Sequence, residues 1–278
     1  MDGSVLRITK NNLISLFCSY KMLLIVVVGC ILPLNTIYQL RYIGHWNDAT
    51  IFDGLLYEFG LYTIHYLILV PLFIFMVYDI VKPSLMDNFI FFRITDRKKL
   101  FLSKMLSCVF ATFVILLVLT IVSTIILAFN FRVVPYWSDS LLLTQSLRTE
   151  LLNPSLVYYS PFLLMVYQFA LIFLSLVVSS WLILLLMETV KRKSFALVIM
   201  MLINFSVLLL AKGSLADLFF LPCSNTFLVN IDIGKYGILA IMKPIIYWII
   251  LGAAIFVCDY QIISRKDFLY EDAPEDES

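Results

Sequence analysis

MLSCVFATFVILLVLTIVSTIILAF, residues 105–129, runs for 25 positions without a charged side chain. At about 1.5 Å per residue, a helix of that length outspans the roughly 30 Å of bilayer hydrocarbon. The run lacks the period-2 alternation of a membrane-barrel strand, so it reads as a helix. Five more stretches of this kind flank it, at about 22–40, 61–81, 161–187, 195–211 and 238–258. The expectation is an all-α, polytopic membrane protein with six transmembrane helices in a single domain over 1–278.

Composition agrees. Hydrophobic residues make up 62% of the 278 positions and charged residues 14%, with a mean hydropathy of +0.98. Soluble domains run at about 45–50% apolar and about 25% charged, so an ordinary soluble domain is excluded. The net charge is +1, which argues against nucleic acid as a partner, since that usually shows as a strongly basic face. The five cysteines (Cys18, Cys30, Cys108, Cys223 and Cys258) have no CxxC spacing. Neither a disulfide framework nor a zinc site is indicated, and no cofactor is expected.

Charge placement orients the chain. With the N-terminus in the cytoplasm, fourteen Lys and Arg fall in inner segments: 7, 10 and 21; 82, 93, 97, 98, 99 and 104; 191, 192 and 193; 265 and 266. Five fall outside, at 41, 132, 148, 212 and 235. Basic residues stay on the cytoplasmic side, so both termini are expected inside. Trp46 and Trp137 then fall in outer loops, at the outer interface. The box Val27-Val28-Gly29-Cys30 resembles a lipoprotein cleavage site, but the apolar run continues past Cys30, and a small-residue patch within a helix is the better reading.

Residues 5–20 place Leu6, Thr9, Leu13, Leu16, Phe17 and Tyr20 at helical spacing, with Ile8 and Ile14 interrupting the polar face. This fits a helix in the cytoplasmic interface. The segment KPSLMDNFIFFRITDRKKLFLSK, residues 82–104, sets Phe91 and Phe92 beside Arg93, Asp96, Arg97, Lys98 and Lys99. Aromatic anchors with a charged rim suit a docking surface; anionic membrane lipid is the other partner such a loop suits. The outer segment 212–237 is apolar but broken by Pro222 and Ser224-Asn225, which points to a re-entrant or interfacial helical pair. The acidic tail, 267–278, reads as disordered.

Catalytic motifs are missing. With only His45 and His65 there is no HExxH, and neither GxSxG nor GxxxxGK[ST] is present. An enzyme is therefore not expected, and any ATP must be hydrolysed on another chain. Asp79 reads as the partner of Lys82, Glu188 as the partner of Arg192, and Lys243 as an outward-reaching anchor. His65 reads as a satisfied or interface-facing histidine near the outer end of its span. No Asp or Glu occupies the centre of any span, so the interior is expected to lack buried charge.

An interfacial helix, six spans, a basic aromatic loop between spans two and three, and a broken apolar outer segment before the last span together resemble the permease subunit of a type-2 ATP-binding-cassette exporter. The resemblance implies that about Met86 to Lys99 docks on a separate ATP-binding-cassette ATPase subunit. It also implies an elbow helix at Val5 to Tyr20, outer re-entrant helices at Leu215 to Ile233, and a second permease, the same or a homologous chain. Its setting would be a bacterial plasma membrane. The cargo implied is amphipathic: an antimicrobial peptide, toxin, drug or lipid-like molecule. The rival classes are a secondary transporter, which needs ionisable groups or broken helices near the midplane, and a non-transporting scaffold or assembly protein.

Overall fold

A computed structural model describes residues 3–82, 97–143, 151–190, 193–211 and 221–265. Among these, eight principal helices form the architecture: α1 (Gly3–Phe17), α2 (Lys21–Ile43), α3 (Ile51–Gly60), α4 (Tyr62–Val81), α5 (Arg97–Ala128), α6 (Pro161–Thr189), α7 (Lys193–Ala211) and α8 (Leu239–Arg265). Six of them, α2 and α4 to α8, are long and apolar enough to cross a membrane. The chain is a multi-pass, all-helical membrane protein. Below, the end that carries α1 is called inner, following the charge bias.

The central helix is α6, which packs against α3, α4, α5, α7 and α8. Helices α7 and α8 keep most of their surface outward, as lipid-facing helices do when hydrocarbon replaces water outside the bundle. Gly29, inside unbroken α2, lets that helix approach α5: a Cβ there would stand 3.3 Å from Leu119.

Helix α1 packs along the inner end of α5. Thr9 Oγ1 donates to the Ser103 carbonyl at 3.3 Å, and Asn12 Nδ2 donates to Ser107 Oγ at 3.2 Å. Its buried face is Val5, Ile8, Thr9 and Leu16, while Leu6 and Ile14 are exposed among Arg7, Lys10, Asn11 and Ser15. Ile8, which spoils the polar face in the sequence pattern, points into the protein.

Two expectations need correction. Asp79 pairs with Lys21 at 2.7 Å, because α4 ends at Val81 and Lys82 turns into extended backbone, where its ammonium lies over the Tyr78 ring. The interior is not free of ionisable groups either: Lys21, Asp53, Glu58, His65, Lys104 and Asp259 are all buried.

Helix α3 lies outside the six spans, in sequence that hydropathy leaves as a loop. It descends among their outer ends, antiparallel to α5. Its start is tied to the segment after α5, where Ile51 N–H donates to the Arg132 carbonyl and Arg132 N–H to that of Ala49, each at 3.1 Å. Gly54 carries the contact, since a Cβ there would lie 3.0 Å from side-chain atoms of Leu127 and Phe131. Gly54→Val is expected to destabilise the protein by about 1–3 kcal/mol through overpacking, read as a lower thermal midpoint in detergent, whereas the same change at exposed Gly3 leaves the midpoint unmoved.

Candidate functional site

The basic loop between the second and third spans lies largely outside the described residues: Phe91, Phe92, Arg93 and Asp96 are among those not described. Arg97 opens α5. Lys98 holds its ammonium 5.4 Å from the centre of the Tyr260 ring, and Lys99 is half-buried. Phe101 packs at a tilt against Phe256 and Tyr260, with ring centroids 5.6 and 6.4 Å away. The loop therefore enters α5 at a point clamped onto the inner end of α8. Arg192, the expected partner of Glu188, also lies outside the described residues.

The outer half of the bundle holds a polar cluster around the junction of α3 and α4. Leu61 is extended (φ −81°, ψ 128°) and separates the two helices. A π-turn follows at His65–Leu69, with Val70 N–H donating to the His65 carbonyl. In the same pattern the Tyr66 carbonyl would take its bond from residue 71. That residue is proline, which has no N–H. Asn204 of α7 supplies the missing donor through Nδ2. This explains why an amide is buried in an apolar helix.

Gln168 of α6 is fully buried and serves three pieces of backbone. Its Nε2 donates to the Phe59 carbonyl at 3.4 Å and the Thr226 carbonyl at 3.0 Å, and its Oε1 accepts from Leu228 N–H at 3.1 Å. The Phe59 carbonyl is free because α3 stops there. The segment 221–231 is thereby held inside the bundle. Residues 212–220 of the expected re-entrant segment lie outside the described residues; the described part of that segment makes two 3₁₀ turns, Cys223–Asn225 and Leu228–Asn230, and a short helix, Ile233–Tyr236. Trp248 Nε1 donates to the Asn225 carbonyl at 2.8 Å, and Tyr62 Oη to Asn230 Oδ1 at 2.9 Å.

His65 stands at the centre. It lies 3.3 Å from Ser175 Oγ and edge-on to Tyr66 and Phe227, with ring centroids at 4.8 and 5.3 Å. Ser175 is the fifteenth of the 29 residues of α6, so His65 is deeper than the sequence suggests. Its Nδ1 has no partner among the described residues, and neither does the Tyr66 hydroxyl.

Three carboxyls shape the electrostatics of the outer end. Asp48 accepts from Ser140 N–H at 3.0 Å and from its hydroxyl. Partial burial works to raise its pKa, but these hydrogen bonds prevail and hold it below the usual value. Asp53 caps α3 reciprocally with Thr50, accepting from Thr50 N–H at 2.7 Å. Burial nevertheless pushes its pKa up. Glu58, on the same helix, is fully buried and accepts one bond, from Ser123 Oγ. Burial raises its carboxyl from 4.5 to about 8, against the lowering effect of Ser123. Trp46 and Trp137 lie in these outer segments as expected, but both are buried in protein.

At the inner end, Asp259 is buried on α8 with both carboxyl oxygens unpartnered among the described residues. Lys243 is half-buried near the start of α8. The five cysteines are free thiols, and no group of His, Cys, Asp and Glu able to hold a metal occurs among the described residues.

Sequence reasoning missed Glu58, Gln168, Ser175 and Asn204. A signal existed for two of them. Gln168 and Ser175 are seven residues apart, two turns along one face of α6. Gln168→Leu is expected to lower stability by about 1–3 kcal/mol for each backbone group left unpaired, with faster hydrogen exchange across 221–231. Glu58 gives a pH signature. Its folded pKa lies above its unfolded one, so its contribution is full below about pH 4.5 and is lost as pH rises through about 8. Melting curves over that range should show the thermal midpoint falling, with a smaller fall for Glu58→Gln.

No family model, curated protein or solved structure matches this chain.

Proposed function

We propose that this chain is the membrane-spanning subunit of an ATP-driven exporter, moving an amphipathic cargo while a separate subunit hydrolyses ATP. The supporting observation is α5. It is one unbroken helix of 32 residues, about 48 Å long, that starts within the basic loop at Arg97 and reaches the outer cluster at Ser123 and Leu127. A push on the loop by a docked ATPase would travel along a rigid rod to the contacts holding α3. Phe91, Phe92, Arg93, Asp96, Arg97, Lys98 and Lys99 form the docking surface in this reading. A second permease, the same or a homologous chain, packs alongside.

The test is affinity purification of the tagged chain from its native host in mild detergent. A P-loop ATPase at about one to one supports the reading, and charge reversal at Arg97, Lys98 and Lys99 together should reduce its recovery at least tenfold. A stable chain recovered without any ATPase sinks it.

A second reading has its own observation. The α3–α4 break is flanked by buried Glu58 and His65, and ionisable residues beside a broken helix are what an ion-coupled carrier requires. Under this reading, flux in vesicles free of ATP follows an imposed pH gradient, and His65→Ala abolishes it; flux indifferent to the gradient excludes it.

A further inference from the structure

We propose that Glu58 is a proton-binding site whose loading seals the outer end of the bundle, and that release of the proton parts α3 from α5. This goes beyond the exporter reading and holds whichever energy source drives the protein.

Glu58 has no exposed surface. One oxygen accepts from Ser123 Oγ, and the other, Oε2, has no partner among the described residues. An ionised carboxylate in that position would keep a single neutral hydrogen bond in place of its hydration shell, which is a large penalty. Among the described residues no counter-charge faces it. From α5 it meets Ser123, on a helix with no ionisable side chain but Cys108 between positions 105 and 129. From α6 come Gln168, engaged with backbone, and Tyr167, which donates to the Ile241 carbonyl. From α4 come Tyr62, bonded to Asn230, and His65, against Ser175. On α3 itself, Asp53 is turned to Thr50 and Ser138, and Tyr57 is half-buried. The titratable residues of the outer part of α2, namely Tyr38, Arg41 and Tyr42, are exposed. The proton is the ligand that neutralises this carboxyl without requiring new space.

The second link is mechanical. Ser123 and Glu58 join the same two helices that meet at Gly54, where Leu127 and Phe131 close on the backbone. Once charged, Glu58 gains hydration only if that seam opens. Water entering there reaches the Phe59 carbonyl and Gln168, which hold the segment 221–231. One protonation event at the seam therefore bears on the whole outer closure.

The test uses the full chain in lipid nanodiscs, without ATPase or cargo. In an Asp259→Asn background, which removes the other buried carboxyl left without a partner among the described residues, infrared difference spectra between pH 6 and pH 10 should show loss of a protonated-carboxyl band with a midpoint near 8, and that band should be missing when Glu58→Gln is added. Corrected for the base-catalysed rise of the intrinsic amide rate, the protection of residues 51–60 against hydrogen exchange should fall at least tenfold over the same range in the wild-type chain and hold in Glu58→Gln. Ser123→Ala, which keeps the carboxyl and removes the bond favouring its charge, should move the midpoint upward. The proposal is overturned if the band survives Glu58→Gln in the Asp259→Asn background, if α3 loses protection equally in both chains, or if Ser123→Ala leaves the midpoint unchanged or lower. Failure to recover an ATPase from the native host would remove the exporter reading and leave these results standing.

Discussion

The side-chain amide of Gln168 holds the outer half of this protein together. It is buried in a helix that is otherwise almost wholly apolar, and it satisfies the Phe59 carbonyl in the last turn of α3 and both a donor and an acceptor of the segment 221–231. Backbone that is neither helix nor strand survives at such depth only when its polar groups find partners. Removing the amide would leave three such groups buried together. Non-helical structure in the outer half follows from this one residue, and the positions of Phe227, Tyr62 and His65 follow from that structure.

A second constraint is the proline at position 71. By withholding an N–H inside a π-turn it leaves the Tyr66 carbonyl to Asn204 and so ties α4 to α7 at the middle of the bundle. Next to that bond, an apolar groove lined by Leu67, Pro71, Leu197 and Met201 opens on the lipid-facing side. The break above and the turn below give α4 two points of bending, whereas α5 beside it runs unbroken. A helix with joints packed against a helix without them concentrates any rearrangement in the jointed one.

Hydropathy made the six spans legible because crossing hydrocarbon is a demand on composition that each segment meets by itself. Residues 105–129 can be read as a span with no knowledge of the rest of the chain. Helix α3 was not legible, since IFDGLLYEFG is short and carries two acids, and its burial depends on what surrounds it. The same applies to Asp79: its partner Lys21 is 58 positions away and close only after folding, so the nearer Lys82 looked the better match. Where polar residues served a local need, as with the Thr50–Asp53 cap, the spacing was in the sequence but was masked by its loop-like setting. The basic loop was legible as a charge pattern, and its partner is a matter that a single chain does not encode.

The apolar face that α1 turns to α5 also bears on how the protein is made. The bond from Thr9 to Ser103 spans 94 positions of sequence. At a synthesis rate of about 5–20 residues per second, roughly 5–20 seconds pass before α5 exists to receive Val5, Ile8 and Leu16. During that interval the bilayer surface is the solvent suited to this face, with Arg7, Lys10 and Asn11 left toward water. Helix α1 would then be held at the membrane until α5 displaces lipid from it on arrival.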